Sequence, residues 1–461
     1  MASGNRLTDL IQALTRKGGR FLSLGPFVPE AGSKSIEAWC ERLLSGAGEA
    51  SGTAIAGIIL EYWRRLGDDG RAEFLVMLKT RFGVDEERLE SSIRAYLNDR
   101  DGLTAARLHQ AAEPRRQDLF RRLNLAPGGV ATLVSLRADL LERQARGDKG
   151  LEVVDIDLSH LFASWFNRGF LTLQRIDWNA PANKLEKIIR YEAVHEIGGW
   201  EDLRSRLQPE DRRCYAFFHP QLPDEPLIFV EVALTKEMPG AIAPLLAKDR
   251  AALPASEATH AVFYSISNCQ AGLRGISFGN FIIKQVVEEL KRELPGLRNF
   301  VTLSPVPTFA AWLDSLVPPL SPEVEEVRLL VARKDWVHDE EARERLSSLL
   351  PALAARYFLV ARDSRQRAVD PVARFHLGNG ASLARINCFG DLSAKAAATG
   401  LGLMVNYRYE LDKVELNHER FVSAGEVAAA PAIRALLSSN RPPWRRRGNH
   451  SAAQSQNVRH G

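Results

Sequence analysis

Four cysteines in 461 residues are too few and too scattered for a disulfide framework. With no CxxC pair among them, a structural zinc site and a thioredoxin-like redox centre are not indicated. No apolar run reaches the ~18 residues that a membrane-crossing helix requires. The opening residues, Met1-Ala2-Ser3-Gly4-Asn5-Arg6, lack the apolar core of a secretory signal. These absences favour the reducing cytoplasm and no membrane. An excess of one charge is missing too: 61 Lys and Arg face 57 Asp and Glu, so the net +4 makes no case for nucleic acid. Neither GxGxxG nor GxxxxGK[ST] occurs, so the usual NAD and ATP phosphate loops are absent. What is present is ordinary for a soluble globular protein, with 45% hydrophobic and 26% charged residues over a length that suits two or three domains.

Taken in order, residues 5–150 read as helical. Apolar residues recur at three- and four-residue spacing over 7–14, 55–66, 71–82, 85–97, 102–112 and 115–123, with a further helix through Arg146. No catalytic pattern stands out there. The dense Arg and Glu read as solvated helix faces, with subunit association as the sharper alternative. Past Gly147-Asp148-Lys149-Gly150, aromatic and β-branched residues increase. Segments 171–176, 213–218, 227–234, 381–386 and 403–409 have strand character, and 219–226 reads as a long hairpin turn. Helical patterns return at 182–194, 200–207, 323–333 and 340–358, and the run 309–316 leads to a proline-rich break. The tail from Arg441 carries five arginines and no acid, and reads as a disordered, solubilising segment. The chain is thus α+β, with a helical domain at 1–155, a mixed-sheet domain at 156–435 and a basic tail at 436–461.

The stretch from 261 to 307 organises the rest. A buried-strand run, 261–267, leads into the glycine turn Gln270-Ala271-Gly272-Leu273-Arg274-Gly275-Ile276-Ser277-Phe278-Gly279-Asn280. A helix follows over 281–290, and then a second strand, 300–303, delivers Ser304 into Ser-Pro-Val-Pro. A strand–glycine turn–helix unit suits an anion, because glycine lets backbone approach closely and helix N–H groups point outward. With NAD and ATP signatures missing, the pyrophosphate of coenzyme A is the favoured ligand; a turn that merely packs helix on sheet is the alternative. Cys269 beside the turn is either reactive or simply a small buried residue. Ser304 is either an ordinary Ser-Pro turn or a held hydroxyl. His376, in Arg374-Phe375-His376-Leu377-Gly378-Asn379-Gly380, is either a core histidine or one with a tuned pKa. His195, His219 and His418 compete with it, and Asn379 is either an orienting group or a turn residue.

The runs SISNCQAGLRGISFGNFIIKQVVEEL and LSPVP resemble the malonyl-CoA decarboxylase family. So do HPQLPDEPLIFVEVALT, FHLGNGASLARIN and GLMVNYRYEL, in the same order over about 165–422. The resemblance implies a helical N-terminal domain followed by a catalytic domain of the acetyltransferase-like (GNAT) fold. It further implies conversion of malonyl-CoA to acetyl-CoA and carbon dioxide without metal or organic cofactor, by a homo-oligomer (dimer or tetramer). By the same resemblance Ser304 and His376 are the catalytic serine and proton donor. Arg274, Gly275, Ile276, Ser277, Phe278, Gly279 and Asn280 form the substrate-binding loop, and Tyr409 lies near the reacting centre. Many relatives carry an acidic residue where this chain has Ser277. Two other functions remain in view: a GNAT-type acyl-CoA-dependent acyltransferase, and a coenzyme A sensor built on a helical scaffold.

Overall fold

The computed structural model describes residues 33–46, 48–276, 282–333 and 335–439. The helical reading at 7–14, the loop residues Ser277, Phe278, Gly279 and Asn280, and the basic tail from Arg441 lie outside the described residues. Eight helices come first: α1 (Ser33–Leu44), α2 (Glu49–Arg65), α3 (Asp68–Arg81), α4 (Glu86–Asn98), α5 (Gly102–Ala111), α6 (Arg115–Asn124), α7 (Gly129–Arg146) and α8 (Glu152–Trp165). Short polar caps start two of them. Asp85 accepts from the Arg88 N–H at 3.1 Å, and Asp101 from the Thr104 N–H at 2.7 Å, satisfying donors that a helix start leaves open. Trp63, Phe82, Phe120 and Phe162 fill the centre, whereas α4 buries no side chain at all. The expected domain boundary after residue 155 falls inside α8, a helix that the sequence pattern did not single out.

The rest is a mixed sheet covered by helices. Its strands are β1 (Thr172–Ile176), β2 (Arg212–His219), β3 (Leu222–Thr235), β4 (His260–Asn268), β5 (Asn299–Thr302), β6 (Ser304–Pro305), β7 (Ser382–Asn387) and β8 (Met404–Arg408). The helices are α9 (Ala182–Tyr191), α10 (Trp200–Leu207), α11 (Ala243–Leu246), α12 (Ile282–Glu293), α13 (Phe309–Ser315), α14 (Pro322–Val331), α15 (Glu340–Leu359), α16 (Pro371–Gly378), α17 (Ala394–Gly400), α18 (Val414–Ala424) and α19 (Pro431–Ser439). The strand order is β1-β2-β3-β4-β5-β8-β6, with β7 also on β8. A helical region followed by a mixed sheet domain is the expected α+β architecture. The long turn expected over 219–226 is instead two residues, and β3 starts at Leu222. Pro223 and Pro226 fall where the ladder is irregular: β4 pairs with β3 only from Ile228 onward, and the β2–β3 register shifts between Phe217 and His219. At the far end, α19 runs through 436–439, the first residues assigned to the tail.

The site is placed by one parallel pair. β4 and β5 register from His260 opposite Asn299 to Phe263 opposite Thr302, and then β4 continues to Asn268 while the other chain turns into β6. The two therefore part, and the gap between them opens beside Ser304. Buried residues form one continuous cluster from Trp63 and Phe162 of the helical region to Phe263 and Ile283 of the sheet domain, so the two regions share a core. Among the described residues, no helix is long and apolar enough to cross a membrane.

Candidate active site

Ser304 is the first residue of β6, held opposite Val405 of β8. That pairing and the following proline fix its backbone, and its hydroxyl donates to Thr302 Oγ1 at 2.9 Å. Thr302 Oγ1 in turn accepts the Tyr407 backbone N–H at 3.0 Å. His376 comes from a different element, the two-turn helix α16, whose start is capped by Asp370 accepting from Ala373 N–H at 2.8 Å. His376 Nε2 lies 3.1 Å from Ser304 Oγ, and its Nδ1 lies 2.8 Å from the Tyr409 hydroxyl. Tyr407 stacks on the ring, centroid to centroid 4.6 Å and 24° from parallel. Since Ser304 gives its proton to Thr302, the matching polarity has Nε2–H donating to Ser304 and Tyr409 donating to Nδ1. Serine, histidine and tyrosine, 105 positions apart at the extremes of the chain segment by number (304 and 409), thus form one buried hydrogen-bonded line.

Burial sets the protonation of this line. The imidazole is pushed down to about 3 by desolvation, and the Tyr409 and Tyr407 phenols are pushed well above their ordinary value for the same reason. All three rings are neutral at pH 7. Ser304 and His376 line a cavity of about 220 Å³ between the parted strands, together with Phe263, Ile266, Asn268, Pro305, Val372 and Phe375. None of its described lining residues is Asp, Glu, Lys or Arg.

A larger cavity of about 500 Å³ adjoins it, since Asn268 and Phe375 line both. Arg274, Gly275 and Ile276 form one wall of the larger space, and Ile282, at the start of α12, stands beside them. Gly275 has φ +80°, a conformation that glycine takes without steric cost. Cys269 sits in the same wall as a buried thiol whose pKa desolvation raises far above the usual range, so the thiolate needed for reactivity does not form there. Two of the competing histidines are engaged elsewhere. His219 Nδ1 accepts from Gln221 N–H at 3.2 Å with Phe166 against its ring, and His418 Nδ1 lies 2.7 Å from the Gly378 carbonyl. His195 is near-buried and pushed down to about 4 by desolvation; it does not line the small cavity. Asn379 closes α16, its amide donating to the Phe375 carbonyl at 2.7 Å, and it lines the larger cavity.

Comparison with known proteins bears on what this site acts upon. A family model described as the malonyl-CoA decarboxylase C-terminal domain matches residues 169–447, and its N-terminal counterpart matches 82–166. The mitochondrial malonyl-CoA decarboxylases of Anser anser anser and Mus musculus are both 36% identical to it; the first alignment covers 82% of each chain, the second 80% of this one and 82% of the other. The chain belongs to the malonyl-CoA decarboxylase family. It is accordingly a carboxy-lyase. The crystal structure of malonyl-CoA decarboxylase from Rhodopseudomonas palustris matches with 52% identity and a TM-score of 0.84, over 88% of this chain and all of that one. That from Agrobacterium vitis matches with 56% identity and a TM-score of 0.82, over 87% and 99%. The two family models meet between residues 166 and 169, just past α8.

Within this malonyl-CoA decarboxylase frame, the structure brings together Ser304, His376 and Tyr409, and separately groups Arg274, Gly275 and Ile276. Three groups around them escaped sequence reasoning. Thr302 and Tyr407 look like any strand residues until β5 and β8 are paired. Asp370 was legible in principle: an Asp followed by Pro is a strong helix-start signal, and would have marked α16 as the carrier of His376.

Proposed function

We propose that the chain converts malonyl-CoA to acetyl-CoA and carbon dioxide at the Ser304–His376–Tyr409 line, using no metal or organic cofactor. The carrying observation is the 3.1 Å contact between Ser304 and a fully buried His376 at the end of a small, uncharged cavity. A malonyl carboxylate entering that cavity meets neutral donors but no fixed cation among the described lining residues. Its charge is poorly stabilised there, whereas the transition state spreads that charge toward the thioester, so the difference favours loss of carbon dioxide. The arriving carboxylate also opposes the desolvation that keeps His376 neutral, and the ring takes up a proton in the complex. When the C2–carboxylate bond breaks, its electron pair forms the thioester enolate. The Nε2 proton then passes to C2, yielding the acetyl thioester and neutral imidazole.

Coenzyme A would lie along the larger cavity, its pyrophosphate against the 274–276 backbone and its thioester at the shared boundary near Asn268. We further place the protein in the cytoplasm, in keeping with four free cysteines, and as a homo-oligomer associating through its helical region. Transfer to an amine, the acyltransferase alternative, is not favoured by any group in the small cavity. The test is to incubate the purified chain with malonyl-CoA and a chelator but no acceptor, and to follow acetyl-CoA. Stoichiometric acetyl-CoA supports the proposal; dependence on an acceptor amine would hand the site to the transferase reading, and loss of activity on chelation would overturn the metal-free chemistry.

A further inference from the structure

The turn that lines the larger cavity does not rest on the catalytic domain alone. Helix α7 of the helical region lies against it so closely that a Cβ built on Gly272 would stand 1.9 Å from the Val134 carbonyl oxygen. Backbone touches backbone there, and only glycine permits it. One turn further along α7, Arg137 enters the same contact with a side chain only 4% exposed. Its Nη1 donates to the Gly272 carbonyl at 2.7 Å and to the Arg274 carbonyl at 3.0 Å. Its Nε donates to Asp155 of α8 at 2.7 Å, which aligns the guanidinium and balances its charge. A planar guanidinium can serve three acceptors at once in this way, and an ammonium on a flexible stem cannot hold the same fork.

We propose that Arg137 is a positioning residue for the coenzyme A moiety, supplied by the helical region to the substrate-binding turn. The argument rests on the planarity of the peptide bond. In a trans peptide the C=O and N–H point to opposite sides, so holding the Arg274 carbonyl toward α7 turns the Gly275 N–H away from α7. Gly275 lines the cavity, and its φ of +80° completes the bend. Two carbonyl dipoles are thereby drawn back toward a buried cation; the Leu273, Arg274 and Ile276 N–H groups bond within the turn, and the Gly275 N–H is the one turned toward the cavity for a phosphate. Arg137 touches neither the reacting carbon nor His376, so its effect falls on binding rather than on chemistry. This inference rests on the reading of the larger cavity as the coenzyme A site.

Full-length Arg137→Lys and Asp155→Asn are compared with wild type by steady-state kinetics on malonyl-CoA and by calorimetric titration with free coenzyme A. Losing one or two charge-assisted hydrogen bonds predicts that Arg137→Lys raises KM and the coenzyme A Kd roughly tenfold or more, with kcat within about twofold. Asp155→Asn shifts both constants in the same direction by less. An arginine serving only the fold would instead lower the thermal midpoint and the active fraction at unchanged KM, and that result overturns the proposal, as does a fall in kcat alone. Should Arg137→Lys fail to fold, an unchanged KM in Asp155→Asn overturns it equally. Gly275→Asp separates the two levels of argument. If it binds coenzyme A normally, the site itself is misplaced and the proposal falls with it; if it binds weakly while Arg137→Lys binds normally, only the role of Arg137 falls.

Discussion

At the scale of single residues, the proposed site works through neutrality. Desolvation holds His376 far below its ordinary pKa, so at pH 7 the ring is neutral and carries only its Nε2 proton. The proposed mechanism has malonyl-CoA bring in a second. With the slow variant Ser304→Ala, calorimetry in buffers of different ionisation enthalpy should report uptake of up to one proton for malonyl-CoA and none for free coenzyme A. Equal uptake for both ligands would show that the carboxylate is not what charges the ring. Ser304→Ala and His376→Asn should each fold, bind coenzyme A and lose roughly 10²–10⁴ in kcat, the usual span for general acid–base groups. The double variant should be little worse than the poorer single one, because the pair acts as a unit. Near-normal turnover by His376→Asn would remove the assignment. Ser304, His376 and Tyr409 were legible because they sit in runs of unusual sequence; Thr302 was not, since its role exists only after β5 is laid beside β8.

At the scale of elements, two features place the chemistry: the parting of β4 from β5, and the short helix α16. Strand β4, the glycine turn and α12 were readable from apolar periodicity and glycine spacing, but the parting was not, because it depends on which residues β8 takes as partners. Helix α16 has eight residues, too short to stand on its own hydrogen bonds, so its cap matters more than its propensity. Asp370 is 2% exposed, caps Ala373 and also receives the Tyr357 hydroxyl at 3.1 Å. Asp370→Ala should cost about 1–2 kcal/mol for the cap, seen as a lowered denaturation midpoint. It should also lower kcat by roughly ten- to a hundredfold, since a catalytic group displaced by ~1 Å loses that much. Asp370→Asn keeps an acceptor for Ala373 and should recover most of both. If the alanine variant lost stability but kept full kcat, α16 would be anchored by its packing alone.

At the scale of the whole molecule, the helical region is assigned two proposed tasks that its sequence pattern did not separate. Its charged faces read as a solvated or associating surface, and nothing in Leu136-Arg137-Ala138 distinguishes a buried, carbonyl-binding arginine from an exposed one. The physical reason is that Arg137 acquires its role from a contact 135 positions away. The shared core has a consequence for association. A chain started at residue 156 would cut α8 and remove Val134 and Arg137, so it would disturb substrate binding and assembly together and could not tell them apart. The α4–α5 hairpin offers a cleaner test. Helix α4 buries no side chain, and Ile93, Leu97 and Leu103 are 39%, 57% and 58% exposed on this pair of helices. Apolar side chains gathered on an otherwise solvated hairpin suit a second copy of the same chain, because removing them from water contributes about 25 cal/mol per Å² buried. Leu97→Asp with Leu103→Asp places charges on that face without touching the core, α7 or the cavities. Light scattering should then show a smaller assembly, while kcat and KM of the dissociated chain stay within about twofold of wild type, as expected for surface changes remote from the site. An unchanged mass, whether of an assembly or of a single chain, would remove this hairpin as a subunit contact.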